Sequence, residues 1–163
     1  MTDLILLNDR LLGEVDELLG GPMQCHYAKP CGRVFSSTIG QHVRHCLEHY
    51  EELLQAIRED RVLDYERRPR DPEVENHPLV ARKRIEAVRA AILELASGPE
   101  IIAVRDHGEA AASQSSITRE LQFLISHTVH HFALIAVIAA SAGLELPADF
   151  GIAPTTLKFR RSS

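Results

Sequence analysis

Tryptophan is absent from this chain and aromatic residues make up 5% of it, while alanine and leucine are abundant. Sheets draw on aromatic and β-branched side chains, so the shortage points to packed helices. No long hydrophobic run is present either: the most apolar stretch, Phe132 to Leu144, is well short of the ~20 residues of a membrane span. No basic leader segment is expected either, because Asp3 stands where a lysine or arginine would be. Cysteines number three (Cys25, Cys31 and Cys46), an odd count at no zinc-ribbon spacing, which suggests reduced thiols in a cytoplasm. The net charge of -5 comes without a basic stripe, so no nucleic-acid partner is expected. With 45% hydrophobic and 25% charged residues over 163 positions, one domain with a sizeable core is the natural reading.

What the chain has in excess is histidine. There are nine, and six of them fall in two short segments. Ser126 to Phe132 carries His127, His130 and His131 inside a long apolar run. His127 and His131 are four apart and share one helix face within ~40°, close enough to chelate one ion. Upstream, His42, His45 and His49 repeat the pattern. A histidine turned into an apolar sector needs a hydrogen-bond partner or a metal, because leaving it unpaired costs ~1–3 kcal/mol. A bonded core residue is the ordinary outcome for one such ring, and a pair four apart shifts the balance toward a metal.

Taken in order, Leu4 to Leu19 predicts a first helix, with Asp3 as its cap and Gly20-Gly21-Pro22 as its stop. Met23 to Ser37 reads as a loop. Thr38 opens the second helix, and Gln41 completes a capping-box pattern. Arg61 to His77 reads as a long, charged, proline-bearing connection of the sort that often carries function. Asn76 and Pro78 start a third helix that Ser97-Gly98-Pro99 ends. Between Glu100 and Ser116 a short hairpin fits the residues. The fourth helix runs from Ile117 to Ala142, and the tail from Leu146 to Arg161 has too many breakers for a helix. The fold class is therefore all-α, a four-helix bundle with a long 2–3 connection.

The helical wheel of the second helix favours His42 or His49 as its inward histidine, since His45 lies farthest from the apolar centre. The stretch Thr38-Ile39-Gly40-Gln41-His42-Val43-Arg44-His45 resembles the second-helix motif of the DinB superfamily, whose last histidine ligates a metal. His127 and His131 are similar to that family's paired histidines on its later helix. Helix order, the long connection and the tail Leu146 to Pro154 extend the resemblance over most of the chain, read as one domain over 1–163.

The resemblance implies a divalent ion held by His45, His127 and His131, with His49 and His42 as reserves. It also implies kinship with thiol-dependent S-transferases and isomerases that use bacillithiol or mycothiol. Imidazoles suit zinc, nickel, iron(II) or copper. Three protein ligands leave coordination positions open, as in catalytic sites. Gln41, one turn before His45, is a candidate to orient a ligand, against its simpler role in the capping box. Arg67, Arg68 and Arg70 are candidates to bind an anionic substrate, against the default of a solvated loop. Cys46 reads as core. Cys25, Cys31 and His26 read as incidental loop residues, and His77 and His107 as surface. A small-molecule S-transferase is the leading expectation. Metal-dependent hydrolysis and a non-enzymatic metal-binding protein with a filled site, completed by His49, are the alternatives. A homodimer through Ala133, Val137 and Ala140 is also expected, unless the tail covers that face.

Overall fold

The computed structural model describes residues 1–30, 36–97, 100–105 and 111–162. Its four long helices are α1 (Thr2–Leu19), α2 (Ile39–Arg58), α4 (Pro78–Leu93) and α5 (Ile117–Ser141). Helix α1 packs on α4 and α5, and α2 packs on the same two, so α1 and α2 sit on opposite corners of the bundle. The short helix α3 (Pro72–Asn76) precedes α4. Leu12, Leu19, Leu47, Leu53, Ile85, Ile92, Leu121 and Ile135 are fully buried between the helices. Each such side chain contributes roughly 1.5–3 kcal/mol relative to exposure.

The start of α2 is built as its capping box predicts. Thr38 Oγ1 accepts from Gln41 N at 3.1 Å, and Gln41 Oε1 accepts from Thr38 N at 3.1 Å. Gly40 follows because nothing larger fits: a Cβ there would lie 1.9 Å from the carbonyl oxygen of Glu75. The same glycine donates its N–H to the carbonyl of Tyr27 at 2.8 Å, and Tyr27 donates its hydroxyl to the carbonyl of Val74 at 2.7 Å. The α1–α2 loop, α2 and α3 are thereby locked together.

A buried polar chain sets the rotation of α1, α2 and α5 about one another. Asn8 donates to the carbonyls of Leu4 (2.8 Å) and Leu121 (3.3 Å), and its Oδ1 accepts from Tyr50 OH at 2.8 Å. The Tyr50 hydroxyl also bonds Thr128 Oγ1 at 3.1 Å. Every polar atom in this chain is paired, so a rotation of α5 would strand several of them at once. Thr128 neighbours His127 in sequence, and the chain therefore aims the histidine face.

The connection after α2 holds more structure than a loop. Strand β1 (Leu63–Asp64) leads into a 3-10 turn (Tyr65–Arg67) and then α3. Two buried carboxylates one turn apart clip this segment along α2. Glu52 accepts a bidentate pair from Arg61 (2.6 and 3.0 Å) and the N–H of Asp64 (3.3 Å). Glu48 accepts the N–H of Asp71 (2.7 Å) and an Arg44 Nη1 bond (2.9 Å). Residues 65–70 arch between the clips.

The hairpin is present as β2 (Ile101–Arg105) antiparallel to β3 (Ser113–Ser116), with Ile101 opposite Ser116 and Val104 opposite Ser113. Its tip, with Asp106, His107 and Gly108, lies outside the described residues, as do Cys31, Gly98 and Pro99. Strand β1 adds to β2 in parallel, Leu63 facing Val104, and a three-stranded sheet results. Ser116 ends β3 and caps α5 in one residue, accepting from Arg119 N at 3.1 Å.

Three sequence expectations are corrected. Asn76 does not cap the third long helix: its side chain bonds the carbonyl of Pro72 inside α3, and His77 is the cap residue of α4. The tail does form a helix, α6 (Pro154–Ser162), because the breakers end at Pro154 and proline in a first turn starts helices. Asp3 does not cap the first helix: α1 begins at Thr2 with Met1 as its cap residue, and Asp3 lies in its first turn. Helix α5 runs close to its expected bounds, and its 25 residues are long and apolar enough to cross a membrane by length and composition, although here it packs against α1 and α2. Replacing Gly40 by alanine is expected to cost about 1–3 kcal/mol, because backbone rather than a flexible side chain must give way. Gly13→Ala, which meets the end of the Arg89 side chain at 3.3 Å, is the tolerated control. Thermal melts of both variants test this.

Candidate metal centre

Five histidine rings gather where α2 faces α5. His45, His127 and His131 form a nearly even triangle, with ring centroids 4.5 Å (45–131), 4.9 Å (45–127) and 4.6 Å (127–131) apart. One nitrogen from each lies within 4.8 Å of the others, a spacing that can hold a metal ion. His49 stands beside this triangle, its ring 4.1 Å from His127 and 4.5 Å from His45. His42 lies on the other side, against His131. His130 is exposed.

The partners of each ring sort the five by role. His127 Nε2 is buried and has no hydrogen-bond partner among the described residues. A buried unpaired nitrogen is costly, and a cation at the triangle's centre is the group that would satisfy it. His131 Nδ1 lies 2.9 Å from His42 Nδ1, and His42 Nε2 lies 3.0 Å from Ser37 Oγ. With His131 Nδ1–H as donor, its Nε2 lone pair is free, and His42 acts as the orienting partner that metal-binding histidines commonly have. His49 donates Nδ1–H to the carbonyl of His45 at 2.7 Å, which leaves its Nε2 as an acceptor. The donor set is all imidazole, which suits zinc, nickel or iron(II) and does not choose among them.

These rings are held uncharged. Burial pushes the pKa of His45 down to about 2, with His49, His131 and Arg68 adding to the effect. Burial likewise pushes His127 and His131 to about 3 and His49 to about 4. Neutral imidazole is the form that ligates a metal.

A cavity of about 600 Å³ opens beside the triangle. His45, His49 and His127 lie on one side, Tyr65, Glu66 and Arg68 come from the connection, and Arg105, Gln114 and Ser115 come from the sheet. Arg119, Glu120 and Phe123 from α5 complete the wall. Glu120 is fully buried and committed: Tyr65 OH (3.0 Å), Ser115 Oγ (2.6 Å) and Arg119 Nη1 (3.0 Å) all donate to it. Arg105 Nε is buried without a partner among the described residues.

The other sequence candidates fall as follows. Of the three connection arginines, Arg68 lines the cavity, whereas Arg67 and Arg70 are exposed and outside its lining. Gln41 has both ends of its amide bonded, Oε1 in the capping box and Nε2 to Glu75 Oε1 at 2.9 Å. Those bonds fix the start of α2. Cys46 is buried and its thiol is pushed up by burial, while Cys25 is exposed. His77 is exposed at the surface, and His26 sits in the turn after α1 with Nδ1 buried. Arg105, Arg119 and Glu120 had no signal in the sequence, since isolated charges near a hairpin carry none. Nor did Glu48 and Glu52, two of several glutamates along an amphipathic helix.

The fold and this cluster define a helical bundle with a three-histidine centre able to hold a metal ion. The family model of the DinB superfamily matches residues 8–135. The chain belongs to the DinB superfamily. A curated relative, FK506-binding protein 5 of Rhizopus delemar, is 35% identical over 104 residues, 60% of this chain and 27% of that protein. The chain thus matches little more than a quarter of that relative's length. No solved structure matches.

The neutral rings make metal-free stability depend on pH in a definite direction. Unfolded, these histidines take up protons near their ordinary value of about 6.5, and folded they do so only near 4 and below. The unfolded chain therefore binds more protons in that window, and stability falls as pH drops from 6.5 toward 4. Urea unfolding of the metal-free protein at pH 7.5, 6 and 5 is expected to show a steadily falling midpoint, and a flat series contradicts it.

Proposed function

We propose that the protein is a metal-dependent transferase that joins the sulfur of a small thiol to an electrophile. The observation that supports this most directly is the meeting of three neutral imidazoles from two helices beside a 600 Å³ cavity, two of them, His45 and His127, lining it. His45, His127 and His131 would hold a divalent ion: zinc, nickel or iron(II). When bound, the ion favours the thiolate form of a thiol near neutral pH. In the overall reaction the S–H bond and a carbon–leaving-group bond break, an S–C bond forms, and the leaving group departs with the electron pair and the proton.

The chain's own residues do the rest. Arg68 and Arg105 bind carboxylates of the thiol or its acceptor, the first as a cation with no carboxylate in ion-pair range among the described residues. The faces of Tyr65 and Phe123, whose rings lie 5.2 Å apart, cover the apolar part of the substrate. His49 offers Nε2 as a proton acceptor, with its ring held by the bond to the His45 carbonyl. Arg67 and Arg70, at the rim of the connection, steer anions electrostatically. A reducing cytoplasm suits both the thiol and the unpaired Cys25 and Cys46.

Hydrolysis is the second reading: Glu120, the buried carboxylate in the cavity, is fully occupied, so His49 would have to serve as its base. A non-catalytic metal protein fits less well, since His49 stands outside the 4.8 Å set and an open cavity adjoins it. Pairing of two copies through α5 is part of the reading: Val137 remains 47% exposed, although the tail already packs Gly151 against the backbone of Ala133.

Elemental analysis of protein purified without a histidine tag is expected to find one divalent ion per chain. His127→Ala is expected to lose it and with it transfer of a small thiol to a model electrophile, while His130→Ala keeps both. A wild-type protein that binds no metal at micromolar concentration ends this reading.

A further inference from the structure

We infer that Arg68 competes with the metal for His45, and that an anion in the adjoining cavity relieves the competition, so that metal and anion load cooperatively. The inference rests on the metal reading above and adds the regulation of that site. Its basis is one contact: Arg68 Nη1 lies 2.6 Å from His45 Nδ1. A guanidinium has donors and no acceptor, and it stays protonated. His45 Nδ1 must therefore be the acceptor, and the single proton of the neutral ring sits on Nε2.

In that state His45 has no lone pair to give. Ligation through Nδ1 requires the guanidinium to leave. Ligation through Nε2 requires the ring proton to move to Nδ1, which then faces Arg68 donor to donor. Either route breaks the contact. A divalent ion at the triangle also repels a guanidinium held this close to one of its ligands.

Once displaced, Arg68 stays in reach of the cavity, because its Nε is anchored on the carbonyl of Tyr65. Its internal alternatives are few. Glu48 is taken by Arg44 and Asp71, Glu52 by Arg61, and Glu120 by Tyr65, Ser115 and Arg119. Glu66, exposed at the cavity rim, is the remaining carboxylate of the lining. An anion bound beside Arg105 is the buried partner that would hold the displaced guanidinium. Because coupling is reciprocal, an anion that draws Arg68 away must tighten metal binding, and bound metal must tighten anion binding.

The test measures metal affinity rather than turnover. Untagged full-length wild type, Arg68→Met and Arg68→Ala are titrated with zinc in a chelator-buffered system, with and without succinate, and folding is checked by circular dichroism. Both variants are expected to bind zinc about five-fold or more tightly than wild type. Succinate, at matched free zinc, is expected to tighten binding by the wild type and leave the variants unchanged. Unchanged or weaker zinc affinity in the folded variants overturns this inference and leaves the metal site standing. Tighter binding without a succinate effect removes the anion half. Failure of wild type and variants alike to bind zinc, nickel or iron(II) removes the underlying reading along with it.

Discussion

Several imidazoles brought together away from water can stay together only if they are uncharged. That constraint governs this molecule. Each added positive charge would face the others at 4 to 5 Å in a medium that screens poorly, so the cluster exists as neutral rings or not at all. Neutral rings in turn demand acceptors and donors, and the surroundings supply them unevenly. His49 has a carbonyl, His131 has His42, His45 has Arg68, and His127 Nε2 has no partner among the described residues. The rings spaced to share one ion thus differ in what each would have to give up to take it: His127 nothing, His45 its bond to Arg68.

Holding the rings in place falls to polar groups some distance from them. The Asn8–Tyr50–Thr128 chain fixes how α5 is turned, and the Glu48 and Glu52 clips fix where the connection crosses α2. None of these residues contacts the cavity, yet each determines what does. A buried network that is fully bonded specifies one arrangement, because any neighbouring arrangement leaves some member without a partner.

Much of this was legible in the residues, and the failures are instructive. The four long helices, the capping box at Thr38 and Gln41, the hairpin and the two histidine clusters all follow from period and turn chemistry. The choice among His42, His45 and His49 did not, since a helical wheel measures direction toward the bundle axis. The triangle lies at the α2–α5 seam, where Tyr65 stacks on His49 and Arg68 meets His45, and His45 is half-buried there. The parallel pairing of β1 was equally hidden, because two residues carry no periodic signal. Helix α6 does not show in a count of breakers, because Pro154 begins a helix rather than ending one.

The fusion of β3 into α5 at Ser116 leaves no slack between sheet and helix. A residue inserted between Ser113 and Ser116 cannot be absorbed by a connecting loop. It must either bulge out of the strand or screw the helix round by ~100° and along by ~1.5 Å. Sequence length is therefore rationed at this junction, where one extra residue would re-aim the histidine face of α5.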